Sequence, residues 1–178
     1  MADVIHYRVK TDLGAFSLSL DLDSAPQTAG YFGDLFDAGV FDGSTVFRVV
    51  TPDNAEMRGD NPIDVIQFGH FDMDNNPKQR FEHEGTNISG RRHTRWAISA
   101  ARGDIGQNYP SFFVCMRDEP ALDFGGGRHP DGNGFAVFGE VTDGFDVLEA
   151  LRNRAEDSEF LEQPIAIQHV YKPAHTAP

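Results

Sequence analysis

A chain of 178 residues is about one ordinary domain, long enough to bury a real core. Its formal net charge of −13 repels phosphate backbones and anionic lipid, which argues against nucleic acid or a membrane as partner. The single cysteine, Cys115, excludes an intramolecular disulfide, and a basic leader and membrane-length apolar runs are both lacking, so a cytoplasmic protein is expected.

Phenylalanine occurs 15 times, which predicts an interior dominated by aromatic packing. The chain opens as a hairpin. Residues 5–11 are β-rich, Asp12-Leu13-Gly14 supplies the turn, and residues 15–21 alternate with Phe16, Leu18 and Leu20 on one face. A first helix follows, with Ser24 as N-cap, Pro26 in the first turn, Ala29, Phe32, Leu35 and Phe36 as its apolar stripe, and Gly39 as its stop. Strands are predicted over 45–50 and 63–68, with a polar loop over 51–62 between them. Residues 71–94 read mostly as loop. Further strands are expected at 96–101, 111–115, 135–141 and 165–170. A Gly-rich loop spans 124–134, and a second helix starting at Phe145 carries Val147, Leu148 and Leu151 at helical spacing. Cys115 ends an apolar strand and is expected to be a small core residue. Many short strands with two helices suggest a mainly β fold, a closed or nearly closed barrel with helical caps, over residues 1–178 as one domain.

Several segments carry more than pattern. Residues 39–50, Gly-Val-Phe-Asp-Gly-Ser-Thr-Val-Phe-Arg-Val-Val, resemble the cyclophilin segment G-x-Y-D-G-T-x-F-H-R-V-I. Residues 65–69 resemble the family's M-x-Q-G-G, and residues 98–102 its I-A-M-A-R. Residues 111–114 are similar to the end of its S-Q-F-F-I, residues 121–123 to its W-L-D, and residues 135–141 to its Y-A-V-F-G-K-V. These occur in family order over nearly the whole chain. The resemblance to cyclophilin-type peptidyl-prolyl cis-trans isomerases implies an eight-stranded antiparallel β-barrel capped by two α-helices, with the active face outside the barrel. It also implies no cofactor and no metal, a monomer, and Pro-containing peptides and client proteins as partners.

The same resemblance assigns roles. Arg48 is the catalytic residue. Val65, Gln67, Ala101, Arg102, Ser111, Phe113, Leu122 and Phe135 bind substrate, with Phe113, Leu122 and Phe135 around the proline ring and Val65 in the family's Met position. Ala101 and Arg102 line the substrate chain, where backbone does the binding. Phe112 and Phe113 are neighbours on a strand and must face opposite ways, so one is core and the other pocket. Ser111 stands in place of a family Gln, Phe47 in place of the His before the arginine, and Ala121 in place of a Trp, which predicts weak binding of cyclosporin-type ligands. Asp64 occupies the position of a pocket Phe, so that wall must come from elsewhere, with Met57 of the 51–62 loop as a candidate.

The chemistry suits an arginine. Rotation about an X–Pro bond breaks amide resonance and leaves a lone pair on the prolyl nitrogen, and Arg donates hydrogen bonds without ever accepting a proton. A strand arginine is ordinarily one half of a surface ion pair, but Arg48 lies in an apolar run, Val46-Phe47-Arg48-Val49-Val50. Two other classes compete. One is a binding module that holds Pro-containing segments without accelerating their isomerisation. The other is a metal enzyme, but the seven histidines form no H-E-x-x-H or Cys–His cluster, and the His83-Glu84 and His129-x-Asp131 pairs read as solvent-facing loop residues.

Overall fold

The computed structural model describes residues 2–55, 61–72 and 79–174. Alternation of apolar and polar residues builds the wall. In chain order the elements are β1 (Val4–Thr11), β2 (Gly14–Asp21), α1 (Pro26–Asp37), β3 (Thr45–Val50), β4 (Val65–Gly69), β5 (Gln79–Arg80) and α2 (Thr86–Ser89). They continue with β6 (Ala97–Arg102), β7 (Gln107–Cys115), a 3-10 turn (Pro120–Leu122), β8 (Val137–Asp143), α3 (Phe145–Arg152) and β9 (Phe160–Tyr171). The strands run β4-β3-β9-β1-β2-β8-β6-β7, and β4 pairs back onto β7, which closes an eight-stranded barrel; β5 adds to β7 as an extra strand. The described pairings are antiparallel. Closure removes the exposed edges that an open sheet would present.

The fifteen phenylalanines explain much of the interior. Phe16, Phe32, Phe41, Phe68, Phe112 and Phe138 are each fully buried in one cluster. Phe32 of α1 stacks on Phe138 at 4.3 Å, and Phe68 stacks on Phe112 at 5.1 Å, so α1 is keyed into the barrel by aromatic contacts. Burial of each such side chain contributes about 1.5–3 kcal/mol. A second apolar cluster lies on the opposite face of the wall and includes Val50, Ile63, Val65, Phe113, Cys115, Leu122 and Val137. Phe112 and Phe113 thus separate as strand alternation requires, one into each cluster. Cys115 is fully buried, and burial pushes its thiol pKa well up, as befits a core residue.

Three features depart from the sequence reading. The structure has three α-helices rather than two, because α2 is a single turn inside the 71–94 segment, too short to show periodicity. Strand β8 begins at Val137, so Phe135 belongs to the loop before it. Ser24 is not the N-cap of α1. The cap is Ala25, which offers no side-chain hydrogen bond. Glu84 does the work from a distance: its carboxylate accepts from Gln27 N at 3.0 Å, Thr28 N at 2.8 Å and Thr28 Oγ1 at 2.6 Å. An anion there meets both the unpaired N–H groups and the positive end of the helix. Glu84 is therefore buried, not solvent-facing as expected.

This long-range cap predicts that Glu84→Ala lowers unfolding free energy by about 2 kcal/mol, the sum expected for a lost cap and stranded buried donors. Urea unfolding measures it; a change below about 0.5 kcal/mol would contradict the assignment.

Candidate active site

The site begins with an irregularity in β3. Strict alternation over Val46-Phe47-Arg48-Val49 would send Val46 and Arg48 to the same face, inside the barrel. Instead the register of β3 shifts between Val46 and Arg48 against both β4 and β9, placing a β-bulge at Phe47. Val46 and Val49 then both enter the inner core, while Arg48 turns outward. A bulge re-aims one side chain without breaking the strand.

Arg48 is held there by three hydrogen bonds. Its Nε and Nη2 donate to Glu159 Oε2 at 3.0 and 2.6 Å, and its Nη1 donates to Gln67 Oε1 at 3.2 Å. Glu159 is buried, its side chain only 2% exposed against 19% for Arg48. A guanidinium has five N–H groups, so two remain without a partner among the described residues. The Arg48 Cζ also lies 5.5 Å from the ring centre of Phe160, its register partner on β9.

Arg48 stands at one margin of a cavity of about 210 Å³. That is small against the roughly 300–1,000 Å³ of typical cofactor and drug-sized sites, and suits one small ring. The cavity crosses four adjacent strands, β3, β4, β7 and β6. Val65 and Gln67 come from β4, Phe113 from β7, and Ala101 and Arg102 from β6 at the far margin, while Leu122 and Phe135 close it from the connections. Eight of the nine expected site residues thus line one cavity. Ser111 does not. It is fully buried behind Gln67, accepting from Gln67 Nε2 at 3.0 Å and donating to Phe68 O at 2.9 Å. It fixes the amide whose oxygen receives Arg48.

Phe113 forms the floor. It meets Phe135 edge-to-face at 5.5 Å and is backed by the parallel ring of His93 at 6.1 Å. His93 is itself fixed, with Nδ1 2.7 Å from Asp123 Oδ1 and Nε2 2.9 Å from Ser99 Oγ. Burial lowers the His93 pKa despite the neighbouring carboxylate. Ser99 is completely buried, so this Ser–His–Asp line is a buttress.

The missing wall is supplied by Ile63, which lines the cavity. Its neighbour Asp64 turns away to Arg152 of α3, with carboxylate contacts of 2.8 and 2.6 Å. Met57 lies outside the described residues. The loop 124–134 folds over the position of Ala121 and contributes Arg128 and His129 to the cavity lining, so His129 is not a solvent-facing loop residue. Gly126 packs so tightly that a Cβ there would meet Ala121 O at 2.4 Å, and Gly134, at φ +63°, would meet Leu122 O at 2.4 Å. Arg102 pins the loop. Its buried guanidinium donates to both oxygens of Asp131, at 3.0 and 2.9 Å, and to Gly134 O at 2.7 Å. Its charge is thus turned into the loop. Among the described residues no group of three His, Cys, Asp or Glu side chains is placed to hold a metal ion, and no helix is long and apolar enough to cross a membrane.

Sequence reasoning did not find Glu159, Ile63, Tyr109, Arg128 or His129. Glu159 lies in the polar run Glu156-Asp157-Ser158-Glu159, which looks like a solvated loop, and no local signal marks it as the partner of a residue 111 positions away.

Comparison with known proteins agrees with this architecture. A sequence model described as cyclophilin type peptidyl-prolyl cis-trans isomerase/CLD matches residues 6–172. The peptidyl-prolyl cis-trans isomerase cyp18 of Streptomyces antibioticus is 28% identical over 166 residues, covering 91% of this chain and 92% of that protein. A peptidyl-prolyl cis-trans isomerase-like 1 protein of Neurospora crassa is 30% identical, covering 85% and 83%. A crystal structure of a cyclophilin type peptidyl-prolyl cis-trans isomerase from Cryptosporidium parvum superposes with a TM-score of 0.75 at 18% identity, over 99% of this chain and 100% of that one. With the matched region spanning nearly every strand of the barrel, the chain belongs to the cyclophilin-type peptidyl-prolyl cis-trans isomerase family.

Proposed function

We propose that this protein accelerates cis–trans isomerisation of X–Pro bonds in peptides and folding client proteins, with Arg48 stabilising the twisted amide. The observation that carries this reading is an arginine with two uncommitted N–H groups at the edge of a ring-sized cavity floored by Phe113. The family relatives support the reaction class by name. A related Cryptosporidium parvum structure was determined in the presence of the dipeptide Ala-Pro, which supports a proline-containing ligand here.

The barrier to overcome is about 20 kcal/mol, while cis and trans differ by only about 0.5–1 kcal/mol, so no energy input is needed. Only interactions stronger in the twisted state than in either planar one raise the rate. With the proline ring seated on Phe113, between Leu122 and Phe135, one side of the bond is fixed. The carbonyl side turns, the prolyl nitrogen loses resonance, and its new lone pair accepts from the Arg48 guanidinium. A charge-assisted hydrogen bond of about 1.5–3 kcal/mol gives one to two decades in rate. The apolar walls of Val65, Ile63 and Phe113 keep water from competing for that lone pair. Glu159 and Gln67 set the direction of the donor before substrate arrives, so little reorganisation remains for the reaction itself.

In a protease-coupled assay on Xaa-Pro peptides, Arg48→Ala should lower kcat/KM by at least about tenfold. Arg48→Lys should recover little, because a point charge does not reproduce the planar fork. A folded Arg48→Ala protein with wild-type activity would contradict the assignment. Wild type that binds such peptides without isomerising them would favour a binding module.

Glu159 is a positioning residue. Glu159→Gln keeps the shape but weakens the grip on Arg48, so kcat should fall about threefold or more while KM stays within about twofold. A rise in KM alone would assign Glu159 to ground-state binding.

The proposed step titrates no group, so the rate should be flat from about pH 7 to 8 and indifferent to EDTA. His93 sets the lower limit. Its folded pKa is below the ordinary value, so its contribution to stability is complete above about pH 6.5 and is lost as pH falls below that. The melting temperature of wild type should therefore drop more between pH 7 and 5.5 than that of His93→Gln; equal drops would remove His93 from the account.

A further inference from the structure

Beyond the Arg48 margin two large aromatic side chains are exposed side by side. Phe71, just past the end of β4, is 60% exposed, and Phe160, at the start of β9, is 38% exposed. Their rings meet edge-to-face at 5.0 Å, and Phe71 also packs on the bulged Phe47 at 5.4 Å. Phe47 is nearly buried, so it serves as the base beneath the other two. This ridge is continuous with the cavity, since Phe160 is the register partner of Arg48 and lies under its guanidinium. Large apolar side chains exposed together, rather than singly, mark a surface that something covers.

We propose that this aromatic ridge is a second substrate subsite, which takes a phenylalanine, tyrosine or similarly bulky apolar side chain from the same chain whose proline occupies the cavity. The inference rests on the isomerase reading above and adds a sequence preference to it. The strand order sets the geometry. The cavity spans β3 to β6, and β9 lies one strand beyond β3 on the Arg48 side. Strands are about 4.8 Å apart and an extended chain advances about 3.3 Å per residue. A peptide whose proline ring rests on Phe113 of β7 therefore reaches the ridge at Phe160, three strands away on β9, about four residues from its proline, and on one side of it only. The opposite flank passes over Ala101 and the pinned 124–134 loop, where His129 and Asp131 present polar atoms. Edge-to-face contact with an incoming ring suits the exposed faces of Phe71 and Phe160.

The test uses short alanine peptides containing one proline, with phenylalanine placed three to five positions before or after it. Affinity is read by titration calorimetry and turnover by the coupled assay. Wild type should prefer phenylalanine on one side of the proline by about three- to tenfold over alanine in Kd. In Phe71→Ala that ratio should fall to near one, and Phe71→Tyr should keep it; circular dichroism checks folding. Wild-type turnover with no phenylalanine preference, or a preference that survives Phe71→Ala, overturns the subsite and leaves the isomerase reading intact. A wild type with no turnover on any peptide overturns that reading, and the calorimetric ratio still decides the ridge. If light scattering instead finds a dimer that Phe71→Ala dissolves, the ridge is a self-association surface and the proposal fails.

Discussion

Everything at the site depends on one backbone irregularity. Without the bulge at Phe47, Arg48 would point into a barrel packed with phenylalanine, where an unpaired guanidinium costs several kcal/mol. With it, the inner face of β3 keeps Val46 and Val49, and the outer face gains a cation between two neighbouring strands. The Phe47 ring, which alternation already places on the outer face, supports Phe71 there. The bulge thus brings Arg48 to the face that carries the aromatic ridge.

A turned-out arginine still needs a direction. Glu159 supplies it through a nearly buried carboxylate, and Gln67 supplies it through an amide fixed in turn by Ser111. Such an arrangement resists the rotamer freedom of a long side chain, which would otherwise blur the donor's position. On the far side of the cavity a second arginine, Arg102, is used quite differently. Its charge is spent within the protein on Asp131 and Gly134 O, so that a Gly-rich segment holds one shape. Arg48 and Arg102 line the same cavity, and of these two Arg48 keeps N–H groups without a partner among the described residues.

Much of the fold was legible in the chain because strand alternation is a local signal. Phe16, Leu18 and Leu20 are all buried, as their spacing required, and Gly39, at φ +72°, ends α1 where it was expected to. Family-like segments brought Arg48, Gln67 and Phe113 together across strands that are distant in sequence. What could not be read was whatever depends on tertiary partners. The polar run at 156–159 gives no hint that one of its carboxylates is buried against Arg48. Asp64, in the place of a wall residue, is explained only by Arg152, and the wall itself shifts to Ile63. Glu84 caps a helix that begins 58 residues earlier, at Pro26, so the local search settled on Ser24. Ser111 shares a motif with Phe113, but alternation alone could not show that Gln67 would stand between it and the cavity.

The central claim is that Arg48 acts on the twisted amide and not on the resting substrate. NMR exchange spectroscopy on a saturating proline peptide measures interconversion on the protein separately from affinity. For Arg48→Ala the account predicts on-protein exchange slowed by at least about tenfold with Kd changed by less than about threefold. Unchanged exchange with weakened binding would show that Arg48 merely holds the peptide, and would contradict the account.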